Sequence, residues 1–102
     1  RRFASPIAQT AGQKKSLPLK FGKKQPVNYC IIQENIKNGE RIRQYKVEAK
    51  VNGKWKTVCT GESVGHKRIE KFEPVEATAL RLTVLESTAL PDIIKFSAYS
   101  VQ

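Results

Sequence analysis

No run of about 18 apolar residues occurs anywhere in the 102-residue sequence, so nothing in it reads as a membrane-spanning helix. A secretory leader with its short apolar core is also missing. Histidine occurs once, as His66, and cysteine twice, as Cys30 and Cys59. These are too few and too far apart for a metal centre, and no cofactor motif accompanies them. His66 has no Ser, Cys or Asp motif beside it to make a nucleophilic unit. Methionine is absent throughout, and a chain that starts at Arg1 reads as a piece of something longer. No stretch of useful length shows helical periodicity. Acidic residues are missing from the first 24 positions, which carry Arg1, Arg2, Lys14, Lys15, Lys20, Lys23 and Lys24.

The net charge is +10, and +7 of it comes from that first segment. A basic balance points to an anionic partner or to a solvated surface with a basic tail. Nucleic acid is argued against by the scarcity of aromatics among these lysines, only Phe3 and Phe21. Single-strand binders interleave charge with stacking rings, and no helical reader is present. The hydrophobic fraction of 39% suits one small folded domain. Residues 1–15 read as a basic linker or arm, and residues 16–102 as the domain.

What is there is alternation. Tyr45, Val47, Ala49 and Val51 alternate with polar residues, as do Trp55, Thr57 and Cys59, and Asn52-Gly53 lies between the two runs. Asn-Gly between alternating runs marks a hairpin, because a type I′ turn needs positive φ at both central residues. Further strands are expected over 16–21, 27–34, 66–72, 79–86 and 92–101, with turns at 22–26 and 73–78. Seven strands with turn signals between them indicate an all-β sandwich or barrel. Cys30 and Cys59 each lie in an apolar run, and both a free buried pair and a bridge fit. Trp55 is in phase with its strand and reads as a core residue.

If successive strands run up and down, loops 35–43, 61–66 and 87–91 share one end of the sandwich. Loops on a rigid scaffold are where binding residues concentrate. The candidate ligand-binding residues are therefore Glu34, Asn35, Arg41, His66, Ser87 and Thr88. Each has a structural alternative: Glu34 and Arg41 as a charge pair across the loop base, His66 as a local hydrogen-bonding group. Arg81, between Leu80 and Leu82, is expected to pair with Glu48 or Glu70. Glu62, Glu70, Glu73 and Glu76 read as surface residues. No two carboxylates are placed to face each other as glycoside hydrolysis requires, so no catalytic residue is assigned.

The segment Q-E-N-I-K-N-G-E-R-I with G-H-K-R-I downstream, together with N-G-K-W-K-T-V, L-R-L-T-V-L-E-S and P-D-I-I-K-F-S-A-Y, resembles the discoidin-like (coagulation factor 5/8 type C) domain. More narrowly, it resembles the C-terminal β-sandwich of bacterial α-L-fucosidases of the retaining glycoside hydrolase family. The resemblance covers about residues 17 to 101. It implies a jelly-roll β-sandwich of the galactose-binding-domain-like type, and Trp55 resembles that family's structural Trp. It further implies a non-catalytic, carbohydrate-binding accessory domain beside the catalytic domain of a secreted or periplasmic α-L-fucosidase that acts on fucosylated glycans. The alternative is a basic interaction module for an anionic glycan, a lipid headgroup or a protein.

Overall fold

Strands form wherever the sequence alternates, and two of them run much farther than the sequence suggests. The computed structural model describes residues 5–101. They form β1 (Ala8–Gly12), β2 (Ser16–Glu34), β3 (Ile42–Val51), β4 (Lys54–Gly61), β5 (Arg68–Ser87) and β6 (Ile93–Tyr99), with a single 3-10 turn at Ile36–Asn38. All pairings are antiparallel, in the order β1-β6-β2-β5-β3-β4.

The strands β2 and β5, of 19 and 20 residues, are the reason one sheet makes two leaves. The first part of β2 pairs with the last part of β5, from Ser16↔Thr83 to Lys20↔Ala79. The last part of β2 pairs with the first part of β5, from Tyr29↔Lys71 to Ile32↔Arg68. Between these two stretches the register shifts twice, around Gly22 in β2 and around Glu73-Pro74 in β5. Extra residues on one strand bend it and increase its twist. Gly22 sits at φ 87, a conformation that suits glycine. Beyond the bends, β6 and β1 extend one leaf and β3 and β4 the other. Leu17, Leu19, Tyr45, Val47, Leu80 and Leu82 of the second leaf pack against Cys30, Ile32, Phe96 and Ala98 of the first.

Four sequence expectations are corrected here, the last of them Glu70. Residues 22–26 and 73–78 are bends inside continuous strands and not hairpin turns, so the expected seven strands merge into five, and Ala8–Gly12 makes the sixth among the described residues. Ala8–Gly12, inside the expected arm, is a strand on the edge of β6, fixed by Ala8↔Ala98 and by the Ile7 amide donating to Ala98 O at 2.7 Å. Its order comes from the neighbouring strand and not from its own weak pattern. Arg1, Arg2 and Phe3 of that arm lie outside the described residues.

Trp55 is the third. It pairs with Lys50, Thr57 pairs with Glu48, but Cys59 pairs with Val47. Two residues of β4 thus oppose one step of β3, a bulge at Val58. A one-residue shift moves side chains to the opposite face. Cys59 therefore stays inside with Val47, while Trp55 and Thr57 lie outside with Lys50 and Glu48. Trp55 is half-buried on the outer face, apart from the core.

Inside, Cys30 and Cys59 are free thiols, the first buried and the second partly so. A hydrogen bond with Cys59, together with burial, holds the Cys30 thiol well above its usual range. Burial also raises the Tyr45 phenol, whose hydroxyl donates to Glu70. Glu70 is thus no surface residue: its side chain is 13% exposed and also meets Arg68 at 3.2 Å. The Tyr45 ring lies against Gly61, its cross-strand partner, where any Cβ would collide with the ring. Gly61→Ala is expected to destabilise the fold by about 1–3 kcal/mol, the usual cost of overpacking. A urea midpoint matching that of the parent chain would show that the ring yields freely.

Candidate functional site

The candidate residues meet through a buried carboxylate. Glu34, at the end of β2, is 2% exposed. Its Oε1 accepts from the Arg41 amide at 2.9 Å and the Ile42 amide at 3.2 Å. Its Oε2 accepts from the Gly65 amide at 3.1 Å. The Glu34 amide in turn donates to Gly65 O at 3.3 Å. One side chain thereby ties the 35–41 loop to the 62–67 loop. Gly65 reaches this position at φ 63, in the left-handed region.

Asn35 and Arg41 attach the third loop. The Asn35 amide donates to Asp92 O at 2.9 Å, and its Nδ2 donates to Asp92 Oδ2 at 3.1 Å. Asn35 Oδ1 caps the short 3-10 turn by accepting from the Lys37 amide at 3.1 Å. The Arg41 guanidinium donates to Leu90 O at 2.8 Å, and the Thr88 amide donates to Arg41 O at 2.8 Å. Loops 35–41, 62–67 and 88–92 are therefore one connected surface.

The six candidates divide by what their side chains can still do. Glu34 has both oxygens on backbone amides, and its contact with Arg41 is to the main chain and not to the guanidinium. Asn35 is occupied as a cap and a link. The Ser87 hydroxyl is buried without a partner. His66 and Thr88 are exposed, and Arg41 is half-exposed with one of its five donors engaged. The surface thus presents hydrogen-bonding groups on a frame set by Glu34. Among the described residues, no three His, Cys, Asp or Glu side chains come together to hold a metal.

The family model named F5/8 type C domain matches residues 4–96. The chain belongs to the F5/8 type C domain family. Its fold is the jelly-roll β-sandwich of the galactose-binding-domain-like type. A crystal structure of a candidate α-L-fucosidase from Bacteroides thetaiotaomicron is 84% identical, with a TM-score of 0.97, over 100% of this chain and 24% of that one. A glycoside hydrolase 29 family member from an unknown rumen bacterium is 30% identical, with a TM-score of 0.86, over 98% of this chain and 20% of that one. A rice protein (Oryza sativa subsp. japonica) described as a candidate α-L-fucosidase is 32% identical over 80 residues, 78% of this chain and 16% of its own length. The F5/8 type C chain thus spans only a quarter or less of these relatives.

Asp92 escapes the sequence reading, although a carboxylate just after Pro91 in a loop was signal enough to suspect a loop-bridging role. So does the outer face around Trp55. There Arg81 donates to Glu48 at 2.9 and 3.1 Å, one of the two partners the sequence suggests. Glu48 also accepts from Thr83 at 2.9 Å and meets Lys46 at 3.5 Å. The Arg81 hydrogen bonds hold the Glu48 carboxyl below its ordinary value.

Two expectations follow. Glu34→Ala removes acceptors from three amides and should cost more than about 3 kcal/mol, while Ser87→Ala should be neutral or stabilising by up to about 1 kcal/mol. Equilibrium urea unfolding of both variants checks this, and a mild Glu34→Ala would show that the loops hold without it. For Glu48 the folded value is depressed, so its contribution is present above the ordinary glutamate value of 4.5 and is lost as pH falls through the folded value. Glu48→Gln should therefore flatten the acid limb of the stability profile below that point.

Proposed function

We propose that this F5/8 type C domain is the accessory module of a larger secreted or periplasmic α-L-fucosidase acting on fucosylated glycans. It packs beside the catalytic domain and offers its converged loops to glycan. One observation carries the reading: the whole chain superposes on 24% of a candidate α-L-fucosidase at 84% identity, which supports a setting in a much longer protein of that kind. The chain's own chemistry agrees with an accessory role, since the buried carboxylate of the loop cluster is committed to backbone amides. Sugar hydroxyls would meet Arg41, His66 and Thr88, with Glu34 and Asn35 as positioning residues behind them. No helix among the described residues is long and apolar enough to cross a membrane.

Titration of the 102-residue chain with fucose and a fucosylated oligosaccharide, followed by amide NMR shifts, tests the glycan part. Saturable shifts are expected in residues 35–41, 62–67 and 88–91, with the 52–53 hairpin quiet. Absence of shifts at millimolar sugar would remove glycan contact from the reading and leave the accessory packing role. That role has its own test in a longer parent protein, where deletion of this domain should lower the unfolding midpoint of the remainder.

A further inference from the structure

The register of the Asn52-Gly53 turn pairs Trp55 with Lys50 and puts the single tryptophan of the chain on the outer face of the second leaf, where a cavity lies against it. Its volume is about 280 Å³ and its lining includes Trp55, Lys50, Lys20, Lys23, Pro18 and Thr78. Three parts of the chain build it: the β2 bend, the β3–β4 hairpin and the β5 bend. None of them belongs to the loops joined by Glu34.

The ring is held in place before any ligand arrives. The Arg81 guanidinium lies 4.1 Å from the Trp55 ring centroid. Glu48, whose side chain is 7% exposed, fixes that guanidinium through two hydrogen bonds of 2.9 and 3.1 Å. The Lys50 ammonium lies 5.8 Å from the same centroid. An ordered aromatic surface loses little freedom on binding, which favours affinity.

The electrostatics have one sign. Lys20, Lys23 and Lys50 line the cavity and no acidic residue does. Glu48 is the nearby carboxylate, and Arg81 and Lys46 already match its charge. The volume falls below the roughly 300–1,000 Å³ of pockets for drug-sized ligands, so it suits a single small ring. An indole face offers an apolar platform for the C–H face of a pyranose, and lysines offer donors to an anionic substituent.

We infer that Trp55, with Lys20, Lys23 and Lys50, forms a second binding site that takes an acidic sugar, a pyranose ring carrying a carboxylate or a sulfate ester. Arg81 is its positioning residue. This site goes beyond the accessory-domain reading and stands independently of it. Neutral-sugar shifts in the Glu34-linked loops test that reading, and Trp55 tests this one.

The protein carries its own probe, because Trp55 is the only tryptophan and fluorescence reports this cavity alone. The 102-residue chain is titrated with glucuronic acid, galactose 6-sulfate, glucose, sodium sulfate and a short single-stranded oligonucleotide. Amide shifts are recorded in parallel. A saturable Trp change with glucuronic acid identifies a carboxylate sugar, and one with galactose 6-sulfate identifies a sulfate ester. Either supports the site when shifts fall at residues 20–23, 50–55 and 78 and glucose is silent. Lys50→Gln should weaken that binding by roughly tenfold or more, the loss expected for a hydrogen bond to a charged group. Lys20→Gln with Lys23→Gln should do the same with an unchanged unfolding midpoint. Equal binding of glucose, an equal response to sodium sulfate alone, or a response to the oligonucleotide alone would overturn the inference. So would an acidic-sugar affinity untouched by the lysine changes.

Discussion

The paired length of β2 and β5 is the constraint on which everything else in this domain depends. These two strands remain hydrogen-bonded to each other on both sides of their bends. One sheet can then fold into two leaves without breaking its ladder. The bends are produced locally, by Gly22 at positive φ in one strand and by Pro74 at the register shift of the other. Pro74 removes one backbone donor, which a regular ladder tolerates poorly and a bulge tolerates well. Because the pair crosses from leaf to leaf, its two bends and the β3–β4 hairpin gather at one end. At the other end the ladder stops at Glu34, and there the loops collect.

Glu34 shows why the loop end needs a charge inside. Loops that cross the end of a sandwich leave amides without ladder partners, and a buried amide without a partner costs free energy. A carboxylate has two oxygens and can accept several amides at once. Here it accepts three, from two loops that are distant in sequence. Asp92 and Asn35 extend the same solution to the third loop. The loop end is therefore rigid at its base and polar at its surface, with His66, Thr88 and part of Arg41 facing outward.

Much of this was legible in the sequence. Alternation and Asn52-Gly53 give the β3–β4 hairpin, and the order of the strands gives the loops that converge. That Arg81 pairs with a strand carboxylate follows from an arginine between two core leucines, and the fold selects Glu48 over Glu70. What was not legible has physical causes. A glycine and a proline that normally end strands here only bend them, because each falls at a register shift and the β2–β5 ladder continues on both sides of it. Ala8–Gly12 has little pattern of its own and becomes a strand by pairing with β6. The Tyr45–Glu70 hydrogen bond joins residues whose contact depends on the folding of one leaf over the other.

Trp55 is the instructive case, since two readings of the same stretch conflict. Alternation along Trp55, Thr57 and Cys59 puts the tryptophan on the side of the cysteine, inside. The two-residue turn requires the opposite. It pairs Val51 with Lys54 and Lys50 with Trp55, which places the ring on the lysine's side, away from Val47 and Ala49. Both requirements can be met only if one residue is extra between Trp55 and Cys59, and Val58 is that residue. The turn register is the stronger constraint because it acts over a few backbone atoms, whereas alternation can be interrupted by a bulge at small cost. The consequence reaches the surface chemistry. A ring that would have filled the core lies half-buried on the outer face instead, beside Lys50 and pinned by Arg81, on the end of the sandwich where the β2 bend brings Lys20 and Lys23. The two ends of this small domain thus differ in kind: one is polar and braced by a buried acid, the other cationic around a single aromatic face.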